Sequence, residues 1–585
     1  MLNFIIGRNN SGKTEKIRAL IAERASENKK CILIVPEQFS FESERSILEK
    51  IGAQKMLNVD ILSFTRLAFV INEQYGKALN KTIDDGTRKV LMSLSLEALS
   101  GKLEYFKRFS SKPALLSNLL TFVTELKQCA VTPDEIAEIS GKTGNKSLGK
   151  KLSELSLIAA SYDALVSRSF FDDENLLTIA ADMISETDFF DGKTVYFDAF
   201  CGFTKQERNC IKSILPKAEN VFISLCTDRD LSREGVSVFE NVNTEFSHLK
   251  ECAAEQNVGV SSPEILNVKE DGRSPELVYL EKYLCGEESE PYKEECDNIV
   301  VCAAGNRADE ADFVACEIKK LLRCNPTLRC RNIAVIERTA GTYDKELSES
   351  FKKYGVPMFE DKRRPIGIQP VMVFVKCLLA LCAEGFSTES FMRLLKTGLT
   401  ALSGDEISEL ENYAFLWNID GSKWRRDFTE NPDGLGFDVT EKSQEKLIRL
   451  NDIRKKSVLP VLAFKKDFEE ADGEKKSRLI YEFLIKNGVT ERLREKIEYL
   501  VSSGDTVLCE EQDTVWATLM DMLGKMASAI GETVITAKRY SELFNILLSA
   551  VTLGSLPQEL DSVTVGAADR IRVTDCKVAF VIGAD

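Results

Sequence analysis

Gly7-Arg8-Asn9-Asn10-Ser11-Gly12-Lys13-Thr14 fits the pattern G-x-x-x-x-G-K-[ST]. The octapeptide follows the apolar run 2–6 and opens a helical pattern over 13–27, so a strand, a phosphate-cradling loop and a helix are predicted in succession. Glycine lets the backbone curl until its N–H groups face phosphate oxygens, and the start of the helix adds partial positive charge. In that setting Lys13 contacts the β- and γ-phosphates and Thr14 holds Mg²⁺. All eight residues are therefore candidate ligands of a nucleoside triphosphate, with ATP and Mg²⁺ the expected cofactors. A second run, Gly144-Asn145-Lys146-Ser147-Leu148-Gly149-Lys150-Lys151, keeps G-x-x-x-x-G-K but has lysine where the hydroxyl belongs and follows a helical pattern. It reads as a basic loop.

Outward from the first loop, a strand-like run at 31–35 and a helical one at 39–50 complete a βαβα unit with a parallel sheet. From about 84 to 186 the pattern is helical, with a start signal at Thr132-Pro133-Asp134-Glu135. Strand signals return at 194–197 and 221–225. The polar stretch 270–297, with Pro275, Gly286 and Pro291, reads as a domain boundary. A second α/β unit is expected from a strand at 299–302, a helix at 308–323 and a strand at 333–336. Helical text with a capped start at Ser403-Gly404-Asp405-Glu406 fills 371 to about 553, and strands follow at 562–565 and 578–582. The resulting plan has two α/β domains, each with a large α-helical insertion: 1–83 with 187–285, interrupted by 84–186, and 298–370 with 554–585, interrupted by 371–553. No internal repeat is evident.

Composition narrows the class. A chain of 585 residues is too long for one hydrophobic core, so about three to five structural units are expected, and 44% hydrophobic with 29% charged residues is too apolar for a disordered chain. A net charge of −15 excludes a protein coated in positive charge, yet an acidic body can still carry a basic channel. Lys362-Arg363-Arg364 and Trp424-Arg425-Arg426 are short basic clusters, either solvated surface or DNA contacts. Sixteen cysteines include no C-x-x-C pair, and His248 is the only histidine, so zinc-finger and histidine-metal patterns lack their ligands. These are expected to be buried or free thiols in a reducing cytoplasm. The start has no positive n-region and is not read as a signal peptide. The most apolar stretch, 371–383, contains Lys376 and falls short of the ~20 residues needed to span a bilayer, so it reads as a core helix without membrane contact.

With the loop in place, the following segments resemble superfamily-1 helicases and, more closely, the AddB family. Val35-Pro36-Glu37-Gln38-Phe39-Ser40-Phe41 looks like that family's second conserved segment, which implies Gln38 at the nucleotide, and Asp60-Ile61-Leu62-Ser63-Phe64-Thr65-Arg66-Leu67-Ala68 looks like the next. Val195-Tyr196-Phe197-Asp198-Ala199 resembles the Walker-B region, making Asp198 the Mg²⁺-associated carboxylate, but Ala199 stands where active helicases carry a glutamate. A methyl group cannot orient water or accept a proton, so slow hydrolysis is expected unless Glu207 or a partner residue supplies the base. Asn332-Ile333-Ala334-Val335-Ile336-Glu337-Arg338 resembles helicase motif IV, making Arg338 a candidate γ-phosphate contact or else a surface ion-pairing residue. The stretches 354–359, 361–364 and 560–572 also look like AddB, the last lacking the key helicase residues. The resemblance implies two P-loop, RecA-like domains in a helicase–nuclease that processes double-strand DNA ends, with AddA as heterodimer partner and single-stranded DNA and duplex ends as substrates. It places the nuclease domain and an iron–sulphur cluster beyond Asp585, so the sequence is expected to be the amino-terminal part of a longer protein. A P-loop small-molecule kinase and a structural nucleotide-binding scaffold are the rival readings.

Overall fold

In the computed structural model the described residues are all but 77–82, 108–111, 170–172, 228–237, 268–273, 284–289, 340, 360–363, 505, 554–560, 569–570, 572–575 and 585. Lys362 and Arg363 of the first basic cluster thus lie outside them. The chain divides into two compact units, Met1–Cys296 with Lys525–Gly531, and Asp297–Gly524 with Glu532–Asp585.

The first unit is built on a six-stranded sheet of β1 (Leu2–Gly7), β2 (Cys31–Ile34), β3 (Val59–Leu62), β4 (Thr194–Phe197), β5 (Asn220–Cys226) and β6 (Glu264–Ile265). Its order is β3-β2-β4-β5-β1-β6 and its pairings are parallel. A parallel sheet needs both faces covered, which is why these strands read as continuous apolar runs. Alternation then sorts each strand between two cores. Leu2, Phe4, Ile6, Ile32, Ile34, Val195, Phe197, Val221 and Ile223 enter one cluster, while Ile5, Cys31, Leu33 and Tyr196 enter the other. Between β3 and β4 the chain runs through helices from Asp85–Ala98 to Asp173–Glu186. One of these, Pro133–Lys142, opens on a capping box in which Thr132 and Glu135 satisfy each other's backbone N–H groups. The segment read as a basic loop at 144–151 is a loop only at its start. The helix Lys146–Ser169 takes up the rest, because Asn145 accepts the N–H groups of Ser147 and Leu148 and caps a new turn.

The second unit contains β7 (Ile333–Glu337), β8 (Met358–Phe359), β9 (Arg364–Pro365), β10 (Thr552–Leu553), β11 (Val563–Ala567) and β12 (Val578–Ile582). Four of them form a parallel sheet ordered β12-β7-β11-β8, whereas β9 and β10 make a small antiparallel pair that was not expected. Helices Arg307–Cys324 and Asp344–Tyr354 pack on it through Ala311, Val314, Ile318, Leu347 and Phe351. The strand expected at 299–302 is absent from both sheets, and Val300 and Val301 are 76% and 94% exposed. A β-branched run becomes a strand only when a neighbour takes its hydrogen bonds, and no described residue does so here. The 371–383 stretch forms the buried helix Pro370–Ala383, and Ser403 with Glu406 forms the expected capping box. Among the described residues no helix is long and apolar enough to cross a membrane.

Candidate functional site

Because the first sheet is parallel, the carboxyl ends of β1, β4 and β5 meet along one edge, where ligands of open α/β sheets bind. Gly7 ends β1, and the helix Lys13–Ser26 begins directly after Gly12. The turn between them needs left-handed backbone at Asn10 (φ 56°) and Gly12 (φ 88°). At Gly7 the need is space. A Cβ there would lie 2.4 Å from Ser11 Oγ and 2.8 Å from the Leu266 carbonyl oxygen, so the chain can close its loop only with glycine. Ser11 is buried and its hydroxyl meets no protein partner, while Asn9 and Asn10 are exposed at the tip.

Lys13 Nζ donates to the carbonyls of Gly7 (2.8 Å) and Arg8 (2.7 Å), which holds the ammonium across the loop. Arg8 turns away. Its guanidinium lies 5.5 Å from the Phe239 ring centroid and donates to the Glu281 carbonyl at 3.2 Å. Thr14, half-buried, is in the first turn of the helix. Gln38 is exposed in the short 3₁₀ turn Glu37–Phe39 that follows β2, on the same edge of the sheet.

Asp198 follows β4 and is buried at 5% exposure. Ser224 of β5 donates to its Oδ1 at 2.5 Å. Ser224 pairs in register with Ile5 of β1, two residues before Gly7, so this hydroxyl stands between the loop strand and the carboxylate. Sequence reasoning missed it, although a serine inside the apolar run Val221-Phe222-Ile223-Ser224-Leu225 was a readable sign. Thr227 and Asn243, both buried, also hydrogen-bond to each other just past β5, at 2.6 Å. Ala199 adopts φ 66°, and the chain beyond it folds Phe200 and Phe203 onto Phe64 and Phe197. Glu207, the alternative base, is engaged elsewhere. It accepts the Thr204 N–H at 2.7 Å in the capping box that starts the helix Lys205–Ile214. Burial raises its carboxyl above the ordinary value, opposed by the bonds from Thr204.

Arg338 belongs to the second unit, exposed just past β7. Its neighbour Glu337 is buried and accepts the N–H groups of Gly341 and Tyr343, fixing the turn that carries the arginine. Of the second basic cluster, Arg425 and Arg426 are exposed, but Trp424 is fully buried and donates its indole N–H to Thr388.

Comparison with known proteins gives the site its context. Residues 4–281 match the family model described as ADDB, N-terminal. The chain is also 29% identical, over its whole length, to proteins named as the B subunit of the ATP-dependent helicase/deoxyribonuclease from Acetivibrio thermocellus, a Thermoanaerobacter species and Clostridium acetobutylicum. The similarity to these B subunits runs along the full length of the chain. It spans about half the length of these relatives, 52%, 52% and 51% respectively. The segment matched by the family model carries the glycine loop, Gln38, Asp198 and Ser224, while Arg338 lies beyond it.

Proposed function

We propose that this chain binds ATP with Mg²⁺ at Gly7–Thr14, binds single-stranded DNA, and forms the helicase-like half of the AddB component of an AddAB-type helicase–nuclease acting on double-strand DNA ends. The supporting observation is a strand–loop–helix phosphate cradle on the same sheet edge as a buried aspartate, in a chain alike throughout to helicase/deoxyribonuclease B subunits. On this reading both α/β units are RecA-like, divided as the sequence plan has them, and the partner is AddA.

The residues present fit a nucleotide. Gly7 lets the loop close tightly over Ser11, whose buried hydroxyl has no partner within the protein. Lys13 and the loop N–H groups would hold the β- and γ-phosphates, Thr14 and Asp198 would hold Mg²⁺, and Gln38 and Arg338 would add contacts. The bound metal supplies charge neutralisation between phosphate oxygens. Ser224 holds Asp198 in one rotamer. With Ala199 at the water-activating position and Glu207 used as a helix cap, the chain's own residues favour binding over turnover.

Calorimetry with Mg²⁺-ATP is expected to give saturable binding to the wild type and none to Lys13→Ala, since the ammonium offsets phosphate charge that the backbone alone does not. Equal affinities would remove the loop from the site. Nucleotide-dependent binding of a labelled single strand separates this reading from the kinase and the scaffold: ATP binding without any DNA binding would overturn the helicase-like role.

A further inference from the structure

The second unit carries a cavity of about 520 Å³ lined by Thr327, Arg329, Arg331, Asn332, Cys576 and Lys577. It opens where β7 and β12 begin, at the edge opposite the carboxyl ends of those strands. Three cations and no carboxylate line it, in a protein of net charge −15. Their backbone is tied down: Asn332 Oδ1 accepts the Arg329 N–H at 3.2 Å, and the Asn332 carbonyl accepts the Lys577 N–H at 2.8 Å. The Arg331 N–H donates to Asp561 Oδ1 at 3.0 Å. The three cationic side chains remain exposed, and among the described residues no ion pair engages them.

Two guanidiniums two residues apart and an ammonium just before the adjoining strand present fork-shaped and point-like donors to one concavity, the donor set that suits phosphate oxygens. Thr327 and Asn332 add polar surface. Among the described residues that line it there is no aromatic side chain on which a base could stack. We infer that this pocket is a contact site for the phosphate backbone of DNA, independent of base sequence. The inference rests on the DNA-binding role proposed above and adds to it a place on the second unit, at the edge of its sheet opposite Arg338. Like other backbone contacts, it fixes position rather than sequence.

The test is the salt dependence of single-strand binding by the full 585-residue chain and by the triple variant Arg329→Gln, Arg331→Gln, Lys577→Gln. Three lost phosphate contacts should make the slope of log affinity against log salt shallower by about 2. Between about 50 and about 200 mM salt the wild type should then lose roughly 20-fold more affinity than the variant. ATP affinity and melting temperature should be unchanged, because the substituted side chains are exposed. Equal slopes in two proteins that both bind DNA would overturn this site alone, whereas a wild type that binds no DNA would overturn the proposed function with it. Displacement of the oligonucleotide by polyglutamate at matched charge would also overturn it, since the pocket would then serve an acidic polypeptide.

Discussion

Ala199 stands at a left-handed φ of 66° directly after the buried Asp198, a backbone state that costs an L-residue roughly 1–2 kcal/mol. Glutamate at this position meets the same Cβ crowding as alanine, so Ala199→Glu changes chemistry without adding backbone strain. If Asp198 and Thr14 share a bound Mg²⁺, that variant is expected to raise steady-state phosphate release by about 10²–10⁴-fold at unchanged ATP affinity, the usual contribution of a general base. A wild-type chain already turning over at motor rates with DNA would show that Ala199 does not disable the site. Asp198 was legible because an apolar run leads up to it and because the segment resembles a known motif. Ser224 was not. Its partnership with Asp198 depends on the register of β4 against β5, and no local pattern encodes a pairing across 26 residues.

Among the elements, the helix Lys205–Ile214 owes its start to Thr204 and Glu207, two residues of an ordinary capping box. Burial raises the Glu207 carboxyl above its usual value, so the folded chain holds this proton more tightly than the unfolded one. The associated stability is complete below the unfolded-state pKa and is lost as pH rises through the folded one. Glutamine accepts the same cap bond and has no proton to lose. Glu207→Gln should therefore gain melting temperature relative to wild type as pH rises from about 4 to about 7, and a difference that stays constant with pH would show that the cap does not feel its burial. Most elements could be read in advance for a physical reason. The strands of β4 and β12 coincide with the expected 194–197 and 578–582 because each is a short apolar run filling one sheet position. The run at 299–302 has the same composition and fails, since a strand is a property of a pair and composition names only one member. The helix start at Lys146 was hidden for a related reason: Asn145 caps it, and the glycines around it drew attention to a loop pattern instead.

At the scale of the molecule, length called for about three to five structural units, whereas contacts divide the chain into two. Charge was less informative. A net −15 hides a local pocket of three cations, because Arg329 and Arg331 meet Lys577 only after β7 pairs with β12. The cluster at Trp424 shows the reverse, an aromatic flanked by arginines whose ring is spent on the core beside Phe391 and Phe428. The sheet of the second unit also ends on β12, whose outer side has no neighbour among the described residues and whose Val581 is 66% exposed. An edge strand of β-branched and aromatic residues is a template for pairing with further chain, and in this 585-residue chain it bears on how samples keep in a tube. Concentrated samples should gain light scattering with time, and Val581→Lys, which sets a charge on that edge, should slow the gain without altering the melting temperature. Identical scattering in the two proteins would mean that the edge is already guarded in solution; a slower rise would make one lysine the practical route to a monodisperse stock.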